Sequence, residues 1–470
     1  MASPRVRKTR IICTLGPATD SPEMLRKMIE AGADVFRLNM SHAEHDWCRR
    51  VVSDIRKLSR ELEKPVGVLF DLQGPSIRTG DLEGKYDLAR GEEIEIRARG
   101  TEPNLEKSTT VNYGGLFDDV SEKDEIIVDN GEMIMKIERL SHDRMVCSVL
   151  TPGQLGSRRH INLPGVRLNL PALTEKDHRD IKVAAECDAD FVAGSFVRDA
   201  GHVRELRGAI VEAGGNVQIV SKLEDQEAMR HLDDIIRESD VIMVARGDLG
   251  IEVHVEELPI IQRRIVKRCH QLNTRVIVAT HMLESMIENP TPTRAEVTDV
   301  SNAVYEEADA IMLSGETTVG KYPIRCVELM DRVARRIERS GGMGYGREVG
   351  LKTEKQKTIQ AAVMLADSLP KACLVVFTRS GRTAHQAALM RPKSSVFAFS
   401  PTDEVCAGLS LSRGVRTFRI DFSEAPRDTI ETAVQLLRDE RNFEKGTPLV
   451  VFSEVAHQDR PVDSIFVIHA

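Results

Sequence analysis

A closed (β/α)8 barrel (a TIM barrel), interrupted by an all-β insertion and followed by a second, smaller α/β domain, is the fold this sequence predicts. Short apolar runs alternate with amphipathic helical stretches, the pattern of βαβ units in a parallel sheet. Outside the insertion this alternation gives eight strands, each followed by a helix, which suits a closed barrel. From Ser76 to Asn169 the texture changes: helical spacing vanishes and short alternating strands appear between Gly and Pro residues. The expected boundaries are 1–74 with 170–340 for the barrel, 75–169 for a β lid and 341–470 for the last domain.

Taken in order, Thr9–Leu15 is a strand and Ser21–Ala31 a helix, with Ser21 as N-cap and Pro22 in its first turn. In Asp34–His42, Phe36, Leu38 and Met40 face one way, and Arg37, Asn39 and Ser41 the other. Asp46–Glu63 is helical, and Val66–Asp71 is an apolar strand ending in a carboxylate before Gln73-Gly74-Pro75 breaks it. The insertion holds strands at Glu93–Arg97, Glu132–Glu138 and Arg144–Leu150, and closes on the basic turn Gly156-Ser157-Arg158-Arg159. The α/β rhythm resumes with helix Thr174–Ala185, strand Asp190–Val197, helix Ala200–Ala213, strand Ile219–Glu224 and a helical stretch Asp225–Ser239. A strand from Asp240 to Ala245, helix Val255–Leu272, strand Arg275–Thr280, helix Thr293–Glu307, strand Ala308–Ser314 and helix Tyr322–Arg339 complete the barrel. The repetition is structural; no repeat is visible in the residues themselves. A Gly-rich linker at Ser340–Gly346 leads to helix Thr358–Leu369 and strands Ala372–Thr378, Ser395–Ser400, Arg416–Ile420, Pro448–Ser453 and Asp463–Ile468.

Composition narrows the function. The chain has 470 residues and a formal net charge of −8, with no basic excess to mark nucleic acid as a partner. No apolar run reaches the length of a membrane span, and the basic N-terminus lacks the apolar segment of a secretory signal. The 8 Cys are scattered without CxxC spacing, which points to reduced thiols in a cytoplasm and away from a zinc site or disulfide framework.

The chemistry concentrates on Ile219–Glu252. Lys222 and Glu224 lie two apart at a strand end and so point the same way; Asp248 follows the next strand. One cation and two carboxylates thus meet at the edge of the sheet where barrels bind ligands. A satisfied ion pair is the bland reading of Lys222 and Glu224, and a capping role that of Asp248. Two hard oxygen ligands beside a fixed ammonium suit a magnesium–phosphate complex better. The polar face Arg37, Asn39, Ser41 fits a phosphate or cation site. In the last domain, Thr378-Arg379-Ser380-Gly381-Arg382-Thr383 joins hydroxyls, two Arg and a helix N-terminus into a phosphate cradle.

These residues fall in motifs of one family. Thr14-Leu15-Gly16-Pro17-Ala18-Thr19, Arg37-Leu38-Asn39-Met40-Ser41-His42, Asp71-Leu72-Gln73-Gly74-Pro75, Leu155-Gly156-Ser157, Ser221-Lys222-Leu223-Glu224, Met243 to Gly250, Met282-Leu283-Glu284-Ser285-Met286 and Leu313-Ser314-Gly315-Glu316-Thr317 occur in the family's order. Over nearly its whole length the chain resembles a pyruvate kinase. The resemblance implies a barrel, a β lid, a C-terminal regulatory domain and a homotetramer. It implies phosphoryl transfer from phosphoenolpyruvate to ADP, giving pyruvate and ATP in glycolysis. Glu224 and Asp248 then match the ligands of Mg2+ (or Mn2+), Lys222 the catalytic lysine, and Arg37 a second phosphoryl contact. Backbone amides at Gly247 and Asp248, with Thr280, match the substrate carboxylate site, and Thr280 the group that helps deliver a proton to the enolpyruvate. Asn39, Ser41, Asp71 and the Leu72 carbonyl match a monovalent-cation (K+) site. His42, Arg78 and Arg159 match ADP/ATP contacts.

The chain departs from the family at four places. His281 stands where Gln is common, Asn169 where Asp is frequent in the lid hinge, and Ser76 where Glu or Lys is usual. The tail after Phe452 lacks the usual Gly-rich turn, so a phosphorylated metabolite effector is expected to be a monophosphate. Leu72-Gln73 follows the potassium-independent pattern, and Ser76 supplies neither charge; potassium can bind, but only modest stimulation is expected. Two other functions compete: a metal-dependent aldolase or lyase acting on phosphoenolpyruvate or a 2-oxo acid, which needs no ADP site, and a catalytically silent homologue, which the presence of Lys222, Glu224, Asp248 and Thr280 argues against.

Overall fold

The computed structural model describes residues 7–129, 131–439, 446–457 and 460–470. Eight parallel strands close into a barrel in sequential order. They are β1 (Arg10–Thr14), β2 (Val35–Asn39), β3 (Gly67–Asp71), β4 (Phe191–Gly194), β5 (Gln218–Leu223), β6 (Val241–Ala245), β7 (Arg275–Ala279) and β8 (Ala310–Leu313). β8 pairs back onto β1, Ala310 beside Arg10 and Leu313 beside Cys13. The strands are buried on both faces, which is why they read as continuous apolar runs. Ile12, Val35, Leu69, Phe191, Val241 and Ile277 fill the interior, and Leu411 from the C-terminal domain joins this cluster.

The helices begin where their caps place them. Ser21, Thr174 and Thr293 each accept a backbone N–H from the first turn, the latter two within reciprocal capping boxes. The strand expected over Asp190–Val197 ends at Gly194, and three helices depart most from the sequence reading. The stretch 225–239 is two helices, Gln226–Arg230 and Leu232–Glu238, broken at His231, which ends one and starts the other. The helix expected from Val255 starts at Leu258, with Pro259 in its first turn. The helix expected from Thr358 starts at Glu354, because Thr353 and Gln356 form a capping box.

The structure also reveals a repeat that the bare sequence hides. Asp34, Asp190, Asp240 and Asp309 each precede an even-numbered strand, after Ala33, Ala189, Ser239 and Ala308. Each carboxylate accepts the backbone N–H near the start of the preceding odd strand: Ile11 (2.9 Å), Val68 (2.7 Å), Ile219 (2.9 Å) and Val276 (3.0 Å). Each also meets an arginine: Arg7 and Arg10, Arg56, Arg207, and Arg391. The same device thus supports the barrel floor once per pair of βα units. A two-residue signature at spacings set by variable helices and loops is too short to stand out before the strands are aligned. Arg391 belongs to the C-terminal domain and reaches Asp309 at 2.6 Å with both side chains almost fully buried, so the fourth copy also docks that domain.

The insertion forms a six-stranded sheet with a two-stranded companion, and Ile94, Ile96, Ile126, Met135, Ile137 and Cys147 belong to its separate core. The last domain is a five-stranded sheet ordered β11-β10-β9-β12-β13, from β9 (Cys373–Phe377), β10 (Ser395–Ser400), β11 (Val415–Arg419), β12 (Pro448–His457) and β13 (Arg460–His469). Only β13 runs antiparallel to its neighbour. No helix among the described residues is long and apolar enough to cross a membrane.

Candidate active site

The C-terminal ends of the barrel strands and the lid enclose a cleft of about 330 Å³. Arg37, Asn39, Ser41, His42, Leu72, Lys222, Glu224 and Asp248 line it from the barrel side, and Arg78 and Arg159 from the lid side. The structure therefore brings together most of the residues singled out from sequence. Gly247 and Thr280 lie beside one another at the adjoining strand ends.

Lys222 is the centre of the cleft's hydrogen bonding. Its Nζ donates to Glu224 Oε1 (2.8 Å) and to Ser195 Oγ (2.8 Å), and faces Asp71 Oδ1 at 3.4 Å. Burial alone would lower the lysine's pKa, but Asp71 and Glu224 outweigh it and raise it, so the ammonium stays charged. Asp71 is 1% exposed; burial pushes its carboxyl up, and Arg37 and Lys222 bring it below the ordinary carboxylate range. Arg37 Nε donates to Asp71 Oδ2 at 2.5 Å, and its Nη1 donates to Thr14 Oγ1 at 3.0 Å. These contacts fix the plane of the guanidinium at the cleft wall.

Glu224 carries the strongest sign of an electrostatic demand. Burial raises its carboxyl to about 7, Lys222 opposes this and Asp248 adds to it. The backbone N–H of Phe196 donates to Glu224 Oε2 (2.6 Å) and holds the carboxylate in place. Phe196 itself has φ +52°, outside the range most residues prefer. The described residues contain no group of three or more His, Cys, Asp or Glu side chains arranged for a metal. Two carboxylates with room for substrate oxygens is nonetheless the donor set magnesium takes in phosphate chemistry. The pair Glu224 and Asp248 fits such an ion.

The monovalent-cation candidates also converge. Among the described residues, Asp71 Oδ1 accepts no hydrogen bond although it is buried. The Leu72 carbonyl accepts from Ser195 Oγ (2.8 Å), and Asn39 Oδ1 accepts from the Ser41 N–H (3.2 Å). Asp71 Oδ1, which faces only the Lys222 ammonium at 3.4 Å, and the Leu72 and Asn39 oxygens are groups of the kind a monovalent cation takes.

At the other side, Gly247 N–H donates to Thr280 Oγ1 (2.7 Å), whose hydroxyl donates to the Ala279 carbonyl (2.6 Å). A substrate carboxylate taking the Gly247 amide must displace this bond. Thr280 and His281 both have left-handed backbone, φ +67° and +54°. Such strain at two successive non-glycine residues is kept only where the surroundings enforce it. Arg246 is the enforcer: it is buried, donates to the carbonyls of Ala279 and Thr280, and is held by Asp299 at 2.6 Å. The His281 ring stands exposed, 4.0 Å from Glu284.

On the lid, Arg159 pairs with Asp129 at 2.8 Å, and Arg78 Nη1 donates to the Arg158 carbonyl at 3.1 Å. The hinge is clamped from both sides. Arg198 donates to the carbonyls of Leu168 (2.7 Å) and Leu170 (2.6 Å), while Asn169 donates its backbone N–H and its side-chain amide to Asp119 (2.9 and 2.6 Å). An amide can donate to Asp119; an aspartate at 169 would face it with like charge.

Sequence reasoning passed over Ser195, Phe196, Arg198 and Arg246. The run Ser195-Phe196-Val197-Arg198 sits at a strand end, where polar residues carry function, and that was the available signal. In the last domain, Thr378 to Thr383, apart from Gly381, line a second cavity of about 490 Å³ with Lys355, Phe422 and Ser423. Gly381, at φ +80°, opens the helix Arg382–Leu389, and Arg379 lies 5.0 Å over the Phe422 ring. Part of the unusual tail after Phe452 lies outside the described residues.

Comparison with known proteins gives concordant matches. The family profile described as "Pyruvate kinase, barrel domain" matches residues 6–327, and that described as "Pyruvate kinase, alpha/beta domain" matches residues 356–468. Plastidial pyruvate kinase 3, chloroplastic, of Arabidopsis thaliana is 38% identical over 445 residues, 94% of this chain and 77% of its own length. A pyruvate kinase of Sporosarcina psychrophila is 40% identical over 420 residues, 87% of this chain and 71% of its own. One from Staphylococcus aureus (strain MRSA252) is 37% identical over 476 aligned positions, 99% of this chain and 80% of its own.

Proposed function

We propose the following residue roles on the premise that this chain belongs to the pyruvate kinase family, whose members convert phosphoenolpyruvate and ADP to pyruvate and ATP, and that it catalyses that reaction. One observation carries the assignment: the Lys222 ammonium, kept charged by Asp71 and Glu224, shares one cleft with Arg37 and Asp248.

Arg37, fixed by Asp71 and Thr14, presents its remaining N–H groups to the phosphoryl oxygens. Lys222 places positive charge on the transferring phosphoryl group and on the enolate oxygen as charge develops there. Gly247, Asp248 and Thr280 receive the substrate carboxylate through backbone N–H groups and a hydroxyl. Thr280 then helps pass a proton to the methylene carbon of the enolpyruvate. His42, Arg78 and Arg159 hold ADP, and lid closure excludes water from the transfer. Glu224 and Asp248 hold Mg2+ or Mn2+, which when bound neutralises phosphate charge. Asn39, Ser41, Asp71 and Leu72 offer oxygens to K+.

Further readings rest on the same frame. The lid is divided from the barrel at 74/75 and 169/170, supported by the clamped hinge at Asn169, and the regulatory domain starts at 341. Thr378–Thr383 binds a phosphorylated metabolite, preferentially a monophosphate, and the assembly is a homotetramer. All 8 cysteines are unpaired, which supports a reducing compartment, read here as the cytoplasm.

Glu224→Gln and Asp248→Asn test the metal assignment. Each is expected to lower kcat by roughly 10²–10³, the scale seen when a single charge-stabilising group is lost, and to raise the magnesium concentration needed for half-maximal rate. Coupling pyruvate formation to NADH oxidation by lactate dehydrogenase, with magnesium varied, reads both. Unchanged magnesium dependence in either variant would rule that carboxylate out as a ligand.

A further inference from the structure

Three groups hold the Lys222 ammonium, and they are not equivalent. Asp71 is shared with Arg37, whose Nε sits 2.5 Å from Asp71 Oδ2. Glu224 is shared with the Phe196 amide, and it is a ligand of the divalent ion in the reading above. Only Ser195 holds the lysine without another cation competing for it.

The direction of that contact is dictated by chemistry. An ammonium can only donate, so Ser195 Oγ must accept from Lys222 at 2.8 Å. The single hydroxyl proton is then free to go to the Leu72 carbonyl, also at 2.8 Å. Lys222, Ser195 and Leu72 thus form a polarised chain whose members cannot exchange roles. Ser195, just past the end of β4, is 5% exposed and lines the cleft beside Lys222. The loop is pressed onto it: Gly74 has φ +69°, and a Cβ built there would lie 2.8 Å from Ser195 Cβ. Only glycine brings the Leu72 carbonyl within reach of the serine in this way.

We propose that Ser195 is a positioning residue for phosphoryl transfer: its hydroxyl, anchored on the Leu72 carbonyl, fixes the direction in which the Lys222 ammonium faces the substrate. This rests on the reading that Lys222 acts on the transferring group. Charge alone keeps the lysine near the carboxylates, but it does not set the angle of approach. A misdirected ammonium keeps its ground-state attraction for phosphate and loses contact with charge that develops during transfer. The loss therefore falls on kcat and spares KM.

The experiment compares Ser195→Ala, Ser195→Thr and Lys222→Ala in steady state, with thermal unfolding of each. Ser195→Ala is expected to lower kcat about 10- to 100-fold, with KM for phosphoenolpyruvate and ADP within about threefold and the thermal midpoint retained. Ser195→Thr, which keeps the hydroxyl, is expected to hold kcat within about tenfold of the parent enzyme and above that of the Ala variant. A Ser195→Ala enzyme with kcat near that of the parent overturns the proposal. So does a kcat loss in the Ala variant that comes with an equal fall in thermal midpoint and is not relieved by Thr. Retained kcat in Lys222→Ala overturns the reading of the lysine itself, and is distinguishable because it does not depend on the serine variants.

Discussion

Asp71 illustrates how one side chain decides the ionic requirements of the cleft. One of its oxygens is committed to Arg37, and the other faces Lys222 at 3.4 Å and accepts no hydrogen bond among the described residues. That oxygen, shared with the Lys222 ammonium, would with Asn39, Ser41 and the Leu72 carbonyl be the place for potassium. Ser76 lines the same cleft, and its Oγ accepts from Arg78 Nε at 3.3 Å, so it brings neither the anion that would help hold a monovalent cation nor the ammonium that would replace one. A cation site built on these oxygens would carry one negative charge fewer than one with Glu at position 76. Appreciable activity without added potassium is therefore expected, with only modest stimulation by it. Initial rates in tetramethylammonium and potassium salts at equal ionic strength measure this. Near-total dependence on potassium would mean that the oxygen ligands suffice and that Ser76 has no influence.

At the scale of elements, the Asp repeat beneath the barrel separates two electrostatic regimes. Burial pushes the Asp34 carboxyl up, but Arg7 and Arg10 overcome this and bring it down to about 2. Burial raises Asp190 to about 6 against the pull of Arg56. A carboxyl lowered by folding stabilises the fold above its unfolded pKa of about 4, and that contribution is lost only as pH falls towards 2. A carboxyl raised by folding takes up a proton more readily in the folded state, so its contribution grows as pH falls from about 6 to 4. Asp34→Asn should then lower the thermal midpoint by a similar amount from pH 8 to pH 5. Asp190→Asn should cost less at pH 7, and its deficit relative to the parent should widen as pH falls towards 5. Melting curves across that range check both, and a pH-independent deficit at Asp190 would contradict the assignment. Elements of this kind also mark where sequence reading stops. Helix starts at Ser21, Thr174 and Thr293 were legible because a cap is a local device, written within four residues. The barrel count was legible because buried parallel strands have a periodicity of their own. The break at His231 was not, since the run 225–239 carries no Gly or Pro to announce it. Lys222, Glu224 and Asp248 were legible as chemistry at strand ends, and their roles came from family motifs. Ser195, Arg198 and Arg246 act through partners 27 to 123 residues away in sequence, and only the folded barrel places those partners beside them.

At the scale of the whole molecule, the barrel floor, the cavity at Thr378–Thr383 and the outer sheet edge are parts of one body. Arg391 binds Asp309 under the barrel, Leu411 reaches the barrel's interior cluster, and the strand after which Thr378–Thr383 turns is the centre of the same five-stranded sheet. The outer strand of that sheet, β13, pairs on one side only among the described residues. Val462 and Val467 on it are 42% and 39% exposed. A long edge with accessible apolar side chains invites pairing with another chain unless it is protected. We predict that this edge meets a second copy of itself in a homotetramer, and that a phosphorylated effector at Thr378–Thr383 acts across that contact. Val467→Lys is expected to shift the assembly from four subunits to fewer, read by light scattering. It should leave turnover at saturating phosphoenolpyruvate nearly unchanged, because the edge lies in a different domain from Lys222. Titrating phosphoenolpyruvate with and without a sugar monophosphate or AMP should show a shift in half-saturation in the parent and none in the variant. An unchanged mass would place the subunit contact on another surface, and a persisting effector shift in a dissociated variant would confine the response to a single chain.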